Sequence, residues 1–224
     1  MKEKERNYQN TILKGYNMLL YFAGSMIMYE PSEECVVDFW SAGILDALPV
    51  SSRNPRFLEA AAQLRSSCEN KRVCKSMLQK DFHRLFSGYL LAPPVKSVYS
   101  TRQIYVEAES VSDFYNSYGW IYRSRYRFPD DNLGIELLFL TLLTDKYITF
   151  EDDLCRIEMG NEIMRFIDKH MLSWIPDWNR LMQENAETLC YKGISTLVYA
   201  CLEDINSFLA IAATQSEFIG NLKN

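Results

Sequence analysis

Few glycines and fewer histidines mark this sequence: nine Gly and two His among 224 residues. The glycines are scattered, so no Gly-rich loop is available to cradle a phosphate. His83 and His170 stand with no G-x-S-x-G and no cysteine in a catalytic setting, which leaves nucleophilic catalysis without support. The six cysteines (Cys35, Cys68, Cys74, Cys155, Cys190, Cys201) form no C-x-x-C pair, so zinc-ligand spacing is missing as well. Positive charge is in deficit, with 24 Lys and Arg against 29 Asp and Glu and a net charge of −5. That balance excludes wholesale binding to nucleic acid or to an anionic membrane surface and leaves room for a basic partner. Alternating strand patterns are absent, and no stretch reads as long and apolar enough to insert into a bilayer.

What is present is helical periodicity along almost the whole chain. Hydrophobic residues make up 48% and charged residues 24%, the balance of an ordinary globular protein long enough to bury a proper core. The spacing predicts helices near 5–28, 32–46, 55–68, 71–87, 102–117, 131–146, 150–170, 176–187 and 189–213. Pro31, Pro49, Pro55, Pro129 and Pro176 stand at or beside the predicted ends, where a missing N–H does least harm. In the first helix Ile12, Tyr16, Leu19, Leu20, Ala23 and Ile27 share one face. Its Glu3, Glu5, Lys14 and Asn17 argue against a secretory leader. In the last helix Ile194, Leu197, Val198, Cys201, Leu202, Ile205, Phe208, Leu209 and Ala212 make a wide apolar stripe, and the polar tail from Thr214 is expected to be loosely held. Four of the six cysteines fall inside such apolar patterns, so they read as reduced core thiols of a cytoplasmic protein.

One connection differs from the rest. Between the helices ending near Ser87 and starting near Arg102 runs GYLLAPPVKSVYST, in which Pro93-Pro94 forces an extended backbone. Loops are normally polar, yet this one carries Tyr89, Leu90, Leu91, Val95, Val98 and Tyr99. It is either a packed crossover between two halves of a bundle or the lining of a groove. It is also the only plausible internal boundary, near 88–101, in a chain otherwise read as one domain over 1–224.

A second stretch, RFPDDNLGIELLFLTLL (Arg127–Leu143), sets acidic groups at the mouth of an apolar helix. A metal site would need carboxylates one turn apart, but the positions one turn after Asp130 and Asp131 hold Leu133, Gly134 and Ile135. The second acidic group, Glu151-Asp152-Asp153, has no better spacing. As a helix start the stretch reads well: Pro129 ends the extended segment, Asp130 caps, and Asp131 faces the positive end of the helix. Gly134 costs about 1 kcal/mol relative to alanine inside a helix, so it is expected to let another group approach closely. Glu136 has no cation among its helical neighbours and needs a tertiary donor or a wet groove. His170, near a helix C-terminus, is expected to satisfy end carbonyls.

Three stretches in order resemble the TorD/DmsD/NarJ-type family of molybdoenzyme chaperones, the redox enzyme maturation proteins. DFHRLFSGYLLAPPVKSVY (Asp81–Tyr99) is similar to its aromatic-x-R-L-F-x-G…P-P-x-x-S-V-aromatic segment. FPDDNLGIELLFLTLL (Phe128–Leu143) is similar to its P-x-D-H-x-x-x-E-L-x-F-x-x-x-L signature, and Phe166–Leu202 to its closing H-L-x-x-W-x-P-x-F…A-x-x-x-F-Y-x-x-L region, with His170, Trp174 and Pro176 at matching positions. The first eighty residues match only in being helical.

The resemblance implies an all-α bundle of about nine to twelve helices with the Pro loop between two sub-bundles. It implies no catalysis, no cofactor and no metal in the chaperone itself. The implied partner is an apo-molybdoenzyme catalytic subunit or its twin-arginine signal peptide. Carried over residue by residue, the peptide-binding positions are Phe82, Leu85, Phe86, Pro94, Val95, Ser97, Tyr99, Asp131 and Asn132, supported by Asp130, Gly134 and Glu136. Asn132 stands where the family commonly has histidine, and Tyr89 where it has proline. A monomer or a domain-swapped homodimer is compatible with the long crossover. Two other readings are a general helical adaptor and, from another class, an all-helical metal-dependent enzyme.

Overall fold

The computed structural model describes residues 2–32, 34, 48–67, 71–99, 110–122 and 128–221. Among these run eight α-helices: α1 (Lys2–Met28), α2 (Pro55–Arg65), α3 (Lys71–Phe82), α4 (Val111–Ser117), α5 (Leu133–Thr149), α6 (Asp153–Phe166), α7 (Ile175–Asn185) and α8 (Leu189–Asn221). α3 and α6 each continue into a π-helical turn, His83–Ser87 and Ile167–Leu172, and a 3-10 turn covers Lys96–Val98. The chain is all-α, as expected, with fewer helices than expected among the described residues. The helix predicted at 32–46 lies outside them, as does the first part of the one predicted at 102–117.

Local chemistry explains the starts. Asn54 caps α2 by accepting the Arg56 N–H at 3.0 Å, with Pro55 in the first turn. Ser110 and Asp113 form a reciprocal capping box at α4, and Asp152 accepts from the Cys155 N–H at 2.9 Å to cap α6. At the other end, α8 runs past its predicted limit to Asn221, because no proline or glycine interrupts Thr214–Ile219.

Packing follows the apolar stripes. α2, α6 and α7 lie against α8, and α1 lies against both α5 and α8. Leu13, Leu20, Ala23 and Ile27 of α1 share one contiguous core with Leu78 and Leu85 before the Pro loop and Leu140, Ile163 and Trp178 after it. Asn54 also ties α2 to α8, its amide donating to Glu203 and Asp204 at 3.0 Å each. By length and composition Leu189–Thr214 is apolar enough to cross a membrane, contrary to the sequence reading. Its Ile194, Leu197, Val198, Cys201, Leu202 and Ile205 are all buried within the protein, so the apolarity serves the core.

The cysteine reading needs two corrections. Cys190 and Cys201 are buried free thiols, but Cys155 is exposed in the first turn of α6. Cys74 is disulfide-bonded. Helical spacing cannot distinguish a cysteine packed on the core from one at an exposed helix start or in a bridge.

Candidate functional site: the Pro loop and the mouth of α5

Backbone hydrogen bonds join the Pro loop to the mouth of α5. Val95 pairs with Asn132 in an isolated antiparallel bridge. On either side of it the Leu133 N–H donates to the Pro94 carbonyl at 2.9 Å and the Lys96 N–H to the Asp131 carbonyl at 3.0 Å. The Asp131 side chain then accepts from the Ser97 N–H at 2.8 Å. Two motifs far apart in sequence thus form one surface.

The cap sits two residues later than predicted. Asn132, not Asp130, accepts the Gly134 N–H, at 2.9 Å, and α5 starts at Leu133. Asp130 is used in the turn before it: its carboxylate accepts from the Ser112 hydroxyl at 2.6 Å and its carbonyl from the Tyr115 hydroxyl at 3.0 Å. Gly134 behaves as expected, since the Met28 side chain of α1 occupies the space its Cβ would fill.

The closing motif supports the loop from below. The Trp178 indole donates to the Ala92 carbonyl at 3.2 Å, and the Tyr99 hydroxyl donates to the Pro93 carbonyl at 2.9 Å. Trp174 stacks on Tyr99 with ring centroids 5.2 Å apart, and its own indole donates to the His170 carbonyl at 2.8 Å. The His170 ring is buried between Phe114 and Phe166. It sits in the π-helical turn Ile167–Leu172 and packs into the aromatic core. Pro176 is exposed in the first turn of α7.

The candidate residues divide by depth. Leu85 is fully buried, and Phe82 meets Phe86 edge-on at 5.5 Å, so these form the floor beneath the loop. Pro94 is buried, Val95 and Tyr99 are half-buried, and Ser97 is exposed. The apolar surface offered to solvent belongs instead to Tyr89 (81% exposed), Leu90 (52%) and Val98 (52%). Leu90 adopts φ 51°, a left-handed conformation rare for a residue with a Cβ.

Electrostatically the mouth is acidic, with the Lys96 ammonium acting on its buried carboxyl. Asp130 is exposed, Asp131 half-buried and Glu136 fully buried. Burial pushes the Glu136 carboxyl well above the usual carboxylate range; the Lys96 ammonium opposes this, Asp131 adds to it, and the Trp174 indole opposes it. Burial likewise pulls the Lys96 ammonium down, against the pull of Glu136 and Asp131. Lys96 Nζ donates to the Lys169 carbonyl at 3.0 Å. The Tyr115 hydroxyl is held above its ordinary value by burial and then by Glu136, Asp130 and Asp131. Lys96 was missed in the sequence, although it is the only cation between Gly88 and Tyr99. Among the described residues no group of three or more His, Cys, Asp or Glu is placed to hold a metal ion.

A profile of the nitrate reductase delta subunit family matches residues 53–180, more than half of the chain, and spans the loop, the helix mouth and Trp174. The chain belongs to that family. The family is one of chaperones for nitrate reductase maturation, and this delta-subunit relative is accordingly placed among molybdoenzyme maturation chaperones. No curated protein matches the chain.

Proposed function

We propose that this delta-family protein holds the twin-arginine signal peptide, or the apo-form, of a molybdopterin-dependent oxidoreductase in the cytoplasm until its cofactor is loaded, with no catalysis of its own. One observation carries the reading: an exposed apolar loop is fastened by backbone hydrogen bonds to an acidic helix mouth. A segment of basic residues followed by an apolar run complements that pair. Asp130 and Asp131 offer charge-assisted hydrogen bonds to arginine, and Tyr89, Leu90 and Val98 cover the apolar part. Phe82, Leu85, Phe86, Pro94 and Tyr99 set the height and rigidity of the loop.

The backbone limits how the segment can be held. Pro93 and Pro94 have no N–H, and those of Leu91, Ala92, Lys96, Val98 and Tyr99 are spent within the protein. Recognition therefore runs through side chains rather than through an added β-strand. The test is calorimetric titration of a synthetic peptide carrying paired arginines and an apolar run into wild-type protein and into Tyr89→Ser/Leu90→Ser. Both substituted side chains are exposed, so the variant keeps its fold, and roughly tenfold weaker binding is expected from the lost apolar burial. Unchanged affinity would remove the loop from the binding surface.

A further inference from the structure

Glu136 lies in the first turn of α5, wholly out of reach of solvent, and neither of its carboxyl oxygens accepts a hydrogen bond among the described residues. Its neighbours in α5, Ile135, Leu137, Phe139 and Leu140, are core residues, and an apolar side chain at 136 would continue their pattern. A carboxyl kept in such a place without a donor costs stability that an apolar residue would not. The groups that act on it come from several segments: Lys96 from the Pro loop, Asp131 from the helix mouth, Tyr115 from α4 and Trp174 from the turn before α7. Lys96 is the only cation among them, and its ammonium is spent on the Lys169 carbonyl at 3.0 Å. The arrangement supplies charge to the carboxyl without filling its lone pairs.

Lysine suits a displaceable occupant. Its ammonium is a compact charge on a flexible stem, and Lys96 is only half-buried, so it reaches solvent while its charge is felt at Glu136. A guanidinium differs in kind. Its planar fork presents parallel N–H groups that match both oxygens of one carboxylate, and its flat face stacks on aromatic rings. The Trp174 ring, stacked on Tyr99, lies beside the site.

We propose that Glu136 is a buried receptor for one guanidinium of the bound segment, which displaces the Lys96 ammonium beneath the Pro loop and takes both carboxylate oxygens. This rests on the peptide-binding reading above and names the group within the peptide that the site selects. Asp130 and Asp131 remain at the surface for a neighbouring basic residue.

The test compares two synthetic peptides, one with paired arginines before an apolar run and one with citrulline in their place, which keeps the shape and removes the charge. Wild-type protein is expected to bind the arginine peptide roughly tenfold or more tightly, the scale of a charged hydrogen-bonded pair. Glu136→Gln, nearly isosteric and checked by its thermal transition, is expected to lose most of that preference while binding the citrulline peptide as wild type does. Asp131→Asn is expected to reduce the preference without abolishing it. A folded Glu136→Gln protein that still discriminates fully, or a preference lost only in Asp131→Asn, overturns the receptor and leaves the peptide surface standing. Equal binding of both peptides by wild type does the same. Binding of neither peptide by wild type overturns the peptide reading, and the receptor with it.

Discussion

Asp81 and Glu136 are both fully buried carboxyl residues, yet Asp81 accepts several hydrogen bonds and Glu136 accepts none from the described residues. Asp81, at the end of α3, accepts from the Glu187 N–H at 3.1 Å, the Thr188 N–H at 2.9 Å and the Thr188 hydroxyl at 2.7 Å. It thereby satisfies the start of α8 from another helix, and Arg84 links it to Glu187 through an ion pair. A charge so placed is structural, because removing it leaves several buried donors with no acceptor. Glu136 has the opposite character: the fold does not need its charge, and the site around it contains a cation that does not bond to it. Burial alone therefore does not distinguish the two carboxyls; the state of their hydrogen bonds does.

The same carboxyl-to-amide change should act in opposite directions at the two positions. Asp81→Asn turns an amide NH2 toward N–H donors and is expected to cost about 3 kcal/mol, lowering the thermal midpoint by roughly 6–12 °C at this chain length. A midpoint within a degree or so of wild type would show that α8 does not depend on this acceptor. Gly134→Ala comes next: displacing Met28 costs about 1–3 kcal/mol, offset by about 1 kcal/mol of helix propensity, so a net loss of about 1 kcal/mol is expected in denaturant titration. No loss would show that Met28 repacks freely and that α1 does not position the helix mouth.

The smallest effect carries a sign. The Glu136 carboxyl is held above its ordinary value, so as pH rises the unfolded chain releases this proton before the folded one does. The folded state then binds more protons, and stability falls as pH climbs from the ordinary carboxylate range. Glu136→Gln removes that loss. It is expected to raise the thermal midpoint by about 2 °C or more near pH 7 and to leave it unchanged near pH 4. A variant destabilised at both pH values would mean that the carboxyl has a structural partner after all.

Much of this was legible in the residues, and the misreadings share a cause. Periodicity located the helices because apolar faces must be buried, and Gly134 announced a close neighbour because glycine is costly there. The apolar Pro loop and the acidic helix start stood out as local rule-breakers, and such places tend to be functional. Depth was not legible. Leu85 and Phe82 carry the same apolar signature whether they line a groove or floor it, and only the fold shows that Tyr89, Leu90 and Val98 are outermost. The cap moved from Asp130 to Asn132 because both types cap well, and the pairing of Val95 with Asn132 fixed the register. Depth also hid the places of His170 and Lys96: one is buried in a π-helical turn, and tertiary folding brings the other under the influence of Glu136.

Hydrogen–deuterium exchange with and without the paired-arginine peptide tests the central claim most directly. The joined loop and helix mouth should gain protection over residues 88–99 and 128–136, while the outer face of α1, with its exposed Tyr8, Met18 and Tyr21, stays unchanged. Protection confined to α1 or to any face away from the loop would contradict the account.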